Sequence, residues 1–273
     1  MQCKLLRLIR DIIRVCGTVK FDVEPAWHTQ IFEEWKKYGL RGFKIRVGKD
    51  RDWDEELARV ARECIGPDKK LMIDAYMTYT ADTAIHMARR FEKYNPYFFE
   101  EPLSQYDMDS LQRITRESPI PIAMGERVMS LRGFKDLIVN HVGNLYQPDA
   151  TIMGGISEAM KILSLSEAFD IPCTPHIGGL TAVGISANLQ VALAHRNAKL
   201  LEIDAWAYQP LRDELLKDPI FNMQDMKDGM MKATEKPGLG IEIDESVLEK
   251  YPYIKGTPMY PEDFFHNYGA GTL

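Results

Sequence analysis

Three carboxylates each close a short apolar run at equal intervals. Asp74 follows Leu71, Met72 and Ile73, Glu100 follows Phe98 and Phe99, and Glu126 follows the 121–125 segment, each 26 residues from the one before. A strand, a loop, a helix and a returning loop take roughly that many residues, so the acids fall at equivalent points of consecutive strand–helix units. Parallel strands closed into a barrel bring such ends to one rim. Three oxygen donors without thiolate or imidazole among them predict a hard divalent cation, Mg2+.

The ladder continues on both sides. Asp149 ends "NLYQPDA", His176 ends "IPCTPH" and Glu202 lies in "KLLEIDAW", at intervals of 23, 27 and 26 residues, while Lys44 and Arg46 stand upstream in "GFKIRVG". Every unit thus brings polar chemistry to the same strand end, which is how an active site on the C-terminal face of a (β/α) barrel is assembled. The elements that must hold these residues are legible between them. Residues 17–23 are expected as the first strand and 31–38 as a helix stopping at Gly39. The strand at 43–47 leads into "DRDWDEELARVARECIG", a helix with an acidic first turn and Gly66 past its end. Thr80 or Asp82 is positioned to cap the next helix, and later helices are expected near Ser130, Ser157 and Thr181.

A chain of 273 residues with 45% hydrophobic and 27% charged content suits one barrel domain. The net charge of −6 argues against a nucleic-acid partner. Cys3, Cys16, Cys64 and Cys173 form no CxxC pair and read as reduced thiols of a cytoplasmic protein. At the N-terminus, charged residues interleave with Leu and Ile through residues 1–16, which denies a secretory signal and predicts an amphipathic helix. No membrane association is expected. The barrel is placed at 17–236, and a Gly- and Pro-containing tail without helical periodicity at 237–273.

In order and spacing, "KIR", "IDAY", "FFEEP", "MGER", "QPDAT", "TPH" and "EIDAW" resemble the catalytic barrel of the enolase superfamily, mandelate racemase subgroup, from about Gly42 to "PGLGIEIDE". The resemblance implies an α/β fold, a modified TIM barrel of (β/α)7β type, and a Mg2+-dependent dehydratase. That enzyme abstracts the proton alpha to the carboxylate of an acid sugar, an aldonate or aldarate, to give a 2-keto-3-deoxy acid. Asp74, Glu100 and Glu126 are then the metal ligands, with Glu100 chosen over Glu101 because the family motif uses the first Glu. His176 is the base, oriented by Asp149 on the neighbouring strand. Glu202 bonds the substrate carboxylate or enediolate and is protonated when the intermediate forms. Lys44 and Arg46 occupy the Lys-x-Lys position, but a guanidinium does not deprotonate near neutral pH, so Arg46 is expected as a cationic clamp and the site as one-base. Tyr76 replaces the Asn that many relatives carry, and with Arg127 is expected to line the substrate site.

A homo-oligomer is expected. Most of the α+β capping domain that precedes the barrel in the family is missing ahead of the first strand, so feeble turnover is expected from this chain. The rival readings are a racemase or epimerase with Lys44 or Arg46 in an unusual role, and a barrel remnant without turnover.

Overall fold

The computed structural model describes residues 12–18, 24–177, 181–204, 209–220, 226, 228–232, 234, 236–252 and 254–255. Strands β1 (Ile12–Thr18), β2 (Gly42–Arg46), β3 (Lys70–Asp74), β4 (Pro96–Glu100), β5 (Ile122–Met124) and β6 (Leu145–Tyr146) pair in parallel, each with the next. Beyond β6 the parallel bridges Tyr146 to Cys173 and Cys173 to Ala198 carry the hydrogen bonding round to β7 (Leu201–Asp204), which pairs with β1 and closes the ring. Helices α1 (Pro25–Lys37), α2 (Arg51–Ile65), α3 (Ala81–Phe91), α4 (Met108–Glu117), α5 (Ser130–Val139), α6 (Ile156–Ala168) and α7 (Ala182–Ala194) fill the intervals. Seven helices between eight strand positions give the parallel barrel that the spacing predicts, in the (β/α)7β form that the resemblance implies.

Strand alternation separates two cores. Phe43, Ile45, Leu71, Ile73, Phe99, Ile122, Met124, Tyr146 and Cys173 point outward into the layer shared with the helices. Met72, Phe98, Ala123 and Leu145 point inward and form a separate apolar plug inside the ring. Both Met72 and Phe98 are fully buried, and the strand positions following them carry the acids: Met72 pairs with Phe98 and Asp74 with Glu100. The plug gives the charged rim a filled, apolar support.

Local signals explain the helix starts. Asp50 caps α2 by accepting from the backbone N–H groups of Asp52 and Trp53 (2.9 and 2.8 Å), and Thr80 caps α3 by accepting from Thr83 N (3.4 Å). Gly66 ends α2 at φ +77°, a left-handed position that suits glycine.

Two terminal expectations need correction. Residues 12–16 belong to β1 rather than to an N-terminal helix. The β-branched Ile12, Ile13 and Val15 supply a strand that closes the ring between β2 and β7, and that pairing outweighs the helical periodicity. Residues 1–11 of the expected helix, and 19–23 of the expected first strand, lie outside the described residues. The other correction concerns the tail, which contains α9 (Glu245–Lys250) and packs back on the barrel. Ile243 bridges Leu216, and Val247 joins Ala182, Leu215 and Leu216 in a small apolar cluster. Two further elements were not anticipated: β8 (Met230–Lys232), antiparallel to the start of β1, and the short α8 (Pro210–Asp213). The remainder of the tail, 256–273, is outside the described residues.

On α1, His28 is buried between Trp27 and Phe32, with Nδ1 3.2 Å from Glu24 O and Nε2 without a partner among the described residues. Burial pushes its pKa down from 6.5 to about 4. Between those values the unfolded chain holds a proton that the folded chain refuses, so this contribution to stability is complete above pH 6.5 and lost as pH falls toward 4. The slope is at most about 1.4 kcal/mol per pH unit. Urea unfolding of His28→Gln should show a shallower loss of stability over that window than wild type. Parallel curves for the two proteins would contradict the assignment.

Candidate active site

The expected residues do meet at the C-terminal rim. Lys44 Nζ donates to both oxygens of Glu100 (2.8 and 2.7 Å), lies 2.7 Å from Glu202 Oε1 and 3.7 Å from Asp74 Oδ2. Arg46 Nη1 donates to Asp74 Oδ2 at 2.5 Å, and Asp74 Oδ1 accepts from Tyr76 N at 2.9 Å. Glu126 is held by His176 Nε2 (3.0 Å from Oε2) and by Arg127. His176 Nδ1 lies 3.1 Å from Asp149 Oδ2. All of these side chains are buried or nearly so, with Arg46 and Arg127 the most accessible.

Gly125, at φ +115°, turns the chain between the outward-facing Met124 and Glu126. A side chain at that position would come within 2.9 Å of the Phe134 ring. Three residues on the neighbouring rim loops, Tyr76 (φ +47°), Met77 (φ +64°) and Glu101 (φ +36°), also hold left-handed backbone that non-glycine residues seldom adopt. The loops after β2 and β3 are joined from behind by buried Asp54 of α2. It accepts from Gly48 N (2.9 Å), Lys49 N (3.2 Å) and Tyr79 Oη (2.5 Å).

The electrostatics follow from crowding. Burial and the neighbouring Asp74 push Glu100 up to about 8, despite Lys44. Burial opposes the charge on Lys44, but Glu100, Glu202 and Asp74 outweigh it and hold the ammonium form. Glu126 is kept below the usual carboxylate range because His176, Lys44 and Arg46 overcome its desolvation. His176 is pushed well above the usual histidine value, since Glu126, Glu202 and Asp149 together exceed the burial effect. Asp149 is held low by His176, Asn188 and Thr151 against its own burial.

Several contributing residues carried no signal strong enough to be singled out. Asn188 donates to Asp149 Oδ1 (3.0 Å) and accepts from Ala150 N (2.9 Å), while Thr151 bonds the same Asp149 oxygen through N (2.8 Å) and Oγ1 (2.7 Å). A lone Asn in the apolar α7 is the mark that would have found Asn188. Glu101, set aside in favour of Glu100, is also buried and pairs with Arg127. The Tyr76 ring lies beside both guanidiniums, 4.2 Å from Arg127 Cζ and 5.9 Å from Arg46 Cζ, so Tyr76 and Arg127 form one unit.

For a divalent cation the donor chemistry fits, since three buried carboxylates stand on adjacent strands and Glu100 is already short of positive charge. Their arrangement is a different matter. Among the described residues no three Asp, Glu, His or Cys side chains converge as a ready-made metal cage, because Arg46, Lys44, His176 and Arg127 hold the carboxylates instead.

A closed parallel barrel whose strand ends carry acids, a buried lysine and a His–Asp pair defines the class: a barrel built for chemistry at a polar C-terminal mouth. The chain belongs to the Enolase C-terminal domain-like family, which matches residues 27–247. It is 33% identical over 219 residues to the arabinonate dehydratase of Saccharolobus solfataricus, covering 79% of this chain and 56% of that enzyme. It is 32% identical over 254 residues to the D-galactonate dehydratase of Xanthomonas euvesicatoria, covering 89% of this chain and 66% of the relative. The crystal structure of the 3,6-anhydro-D-galactonate cycloisomerase from Zobellia galactanivorans superposes with a TM-score of 0.82 at 30% identity, over 89% of this chain and 67% of that one. The chain therefore spans little more than half of the first of these enzymes and about two thirds of the other two.

Lys44→Met would leave Glu100 and Glu202 buried without their shared cation. Above pH 8, where Glu100 is ionised, it should cost about 3–5 kcal/mol of stability in denaturant unfolding. The penalty should shrink as pH falls through that value and Glu100 takes up its proton. An unchanged unfolding midpoint at pH 9 would show that Lys44 does not hold the cluster together.

Proposed function

We propose that this barrel performs the chemistry of an acid-sugar dehydratase, removing the proton alpha to the carboxylate of an aldonate or aldarate and expelling the β-hydroxyl. The observation that carries this reading is the His176–Asp149 pair facing a cluster of acids, with Arg46 where a second base would stand. The arabinonate and galactonate dehydratases among the relatives support it. The free Cys64 and Cys173 accord with a reducing, cytoplasmic setting.

Asp149, an acceptor, fixes one proton of His176 on Nδ1; Nε2, which here bonds Glu126 and holds a second proton because the surrounding carboxylates raise the ring's pKa, becomes the working nitrogen once that proton and that contact are given up. The α-carbon–hydrogen bond breaks toward Nε2, and its electron pair becomes the enediolate. The β-carbon–oxygen bond then breaks, and the proton on Nε2 leaves with the hydroxide as water, so one base serves both halves of the elimination. The resulting enol becomes a 2-keto-3-deoxy acid. Asp74, Glu100 and Glu126 would hold Mg2+, which would offset the charge that develops on the substrate carboxylate. Arg46 clamps Asp74 and stays cationic throughout. Lys44 carries the charge balance of Glu100 and Glu202, while Tyr76 and Arg127 offer the polar rim that a hydroxylated chain requires.

Two measurements test the reading. Calorimetric titration should show one Mg2+ site that Glu126→Gln loses or greatly weakens, and equal binding by both proteins would remove Glu126 from the ligand set. In deuterated water with D-galactonate or D-arabinonate, the protein should exchange the α-proton and form the keto acid. His176→Asn should reduce both by about 10²–10⁴-fold while Mg2+ binding persists. Exchange without keto product would favour an epimerase, and undiminished exchange in His176→Asn would assign the base elsewhere.

A further inference from the structure

Beneath the His176–Asp149 pair lies a polar feature that the proposed reaction does not use. Gln147 is 1% exposed, and among the described residues neither its Nε2 nor its Oε1 has a hydrogen-bond partner; Thr174, also 1% exposed, has an Oγ1 without a partner among them. The strand geometry places the two together. Tyr146 and Cys173 are bridged in parallel and both face the outer core, so alternation turns the next residues, Gln147 and Thr174, into the ring side by side. The backbones at this level are locked: Gln147 N donates to Met124 O (2.9 Å) and Thr174 N to Tyr146 O (2.8 Å). Leu145 of the apolar plug lies two residues below Gln147, and Asp149 and His176 lie two residues above Gln147 and Thr174. At about 3.3 Å per residue each step is roughly 6–7 Å along the strand. Gln147 and Thr174 thus form a level between the plug and the catalytic pair.

We propose that Gln147 and Thr174 form a binding site for one neutral hydroxyl-type oxygen on the floor of the barrel mouth. The chemistry selects the ligand. Nε2 of Gln147 needs an acceptor and Oε1 needs a donor, and Thr174 Oγ1 can be either. A carboxylate brings no proton for Oε1 and a metal ion brings no acceptor for Nε2, whereas an O–H group serves both. Three unmet polar atoms at one level of a ring interior carry a desolvation penalty that such an oxygen removes. Its source is either an ordered water or a hydroxyl of a bound polyhydroxy acid; the second source rests on the dehydratase reading, the first does not.

The test is a crystal structure of the full chain, alone and soaked with D-galactonate, together with thermal unfolding of Gln147→Met and Thr174→Val. Without ligand, an ordered oxygen is expected within hydrogen-bond distance of both the Gln147 amide and Thr174 Oγ1. Each single variant should lower Tm by roughly 2–4 °C, because each deprives the oxygen and the other side chain of a partner. The double variant should lose less than the sum of the two. In the soaked crystal, an unchanged oxygen identifies water as the occupant and its replacement by a sugar hydroxyl identifies substrate; both support the site. Two results overturn it: a floor with no ordered oxygen, or a higher Tm for Gln147→Met, as expected if an uncompensated buried amide had been removed. Neither readout depends on turnover, so a protein that binds this oxygen but dehydrates nothing would refute the dehydratase reading alone.

Discussion

The constraint on which this structure depends is the burial of Asp74, Glu100, Glu126 and Glu202 together at one end of a closed barrel. Removing several carboxylates from water costs several kcal/mol apiece, and proximity adds repulsion. The chain answers with cations: strand alternation places Lys44 between Glu100 and Glu202, Arg46 on Asp74 and His176 on Glu126, and the turn after β5 adds Arg127 on Glu126. Compensation is incomplete at Glu100, whose carboxyl is pushed up to about 8 first by burial and then by Asp74. A site of this kind favours any added positive charge that the carboxylates can reach, which is the physical content of the proposed affinity for a dication.

Such a cluster needs a rigid support. The plug of Met72, Phe98, Ala123 and Leu145 fixes the strand ends from below. Asn188 and Thr151 fix Asp149, which in turn fixes the His176 ring. Behind the rim, Asp54 links the loops that follow Arg46 and Asp74, and the left-handed residues Tyr76, Met77 and Glu101 lie where those loops and the next turn over the mouth. The positive-φ residues of the rim lie in these loops, while β3 and β4, irregular between Leu71 and Met72, run in even register from Met72 to Asp74 and from Phe98 to Glu100.

Much of this was legible in the sequence because it is periodic. The 26-residue spacing places Asp74, Glu100 and Glu126 on consecutive units, and the same ladder reaches Asp149, His176 and Glu202. Helix punctuation located α2 through its acidic first turn and Gly66, and the start of α3 through Thr80, one of the two caps the sequence offers. What spacing does not encode is which side chain neutralises which. The insertion of Lys44 between Glu100 and Glu202, and the support of Asp149 by Asn188 from 39 residues away, depend on how the ring closes. Closure also explains the misreading of residues 12–16, where a gap between β2 and β7 decides the conformation that local pattern left to a helix. Gln147 and Thr174 escaped notice because a polar residue beside "PDA" or "PH" is ordinary in sequence, and only burial without a partner distinguishes them.

The central claim is that this mouth eliminates water from an acid sugar with the help of a divalent ion. The most direct measurement is NMR detection of 2-keto-3-deoxy acid from D-galactonate, D-arabinonate and D-gluconate, each incubated with the protein in Mg2+ and again in excess chelator. The account predicts keto acid from at least one aldonate in Mg2+ and none above the uncatalysed background in chelator. Equal product in both conditions, or none from any of the three, would contradict it.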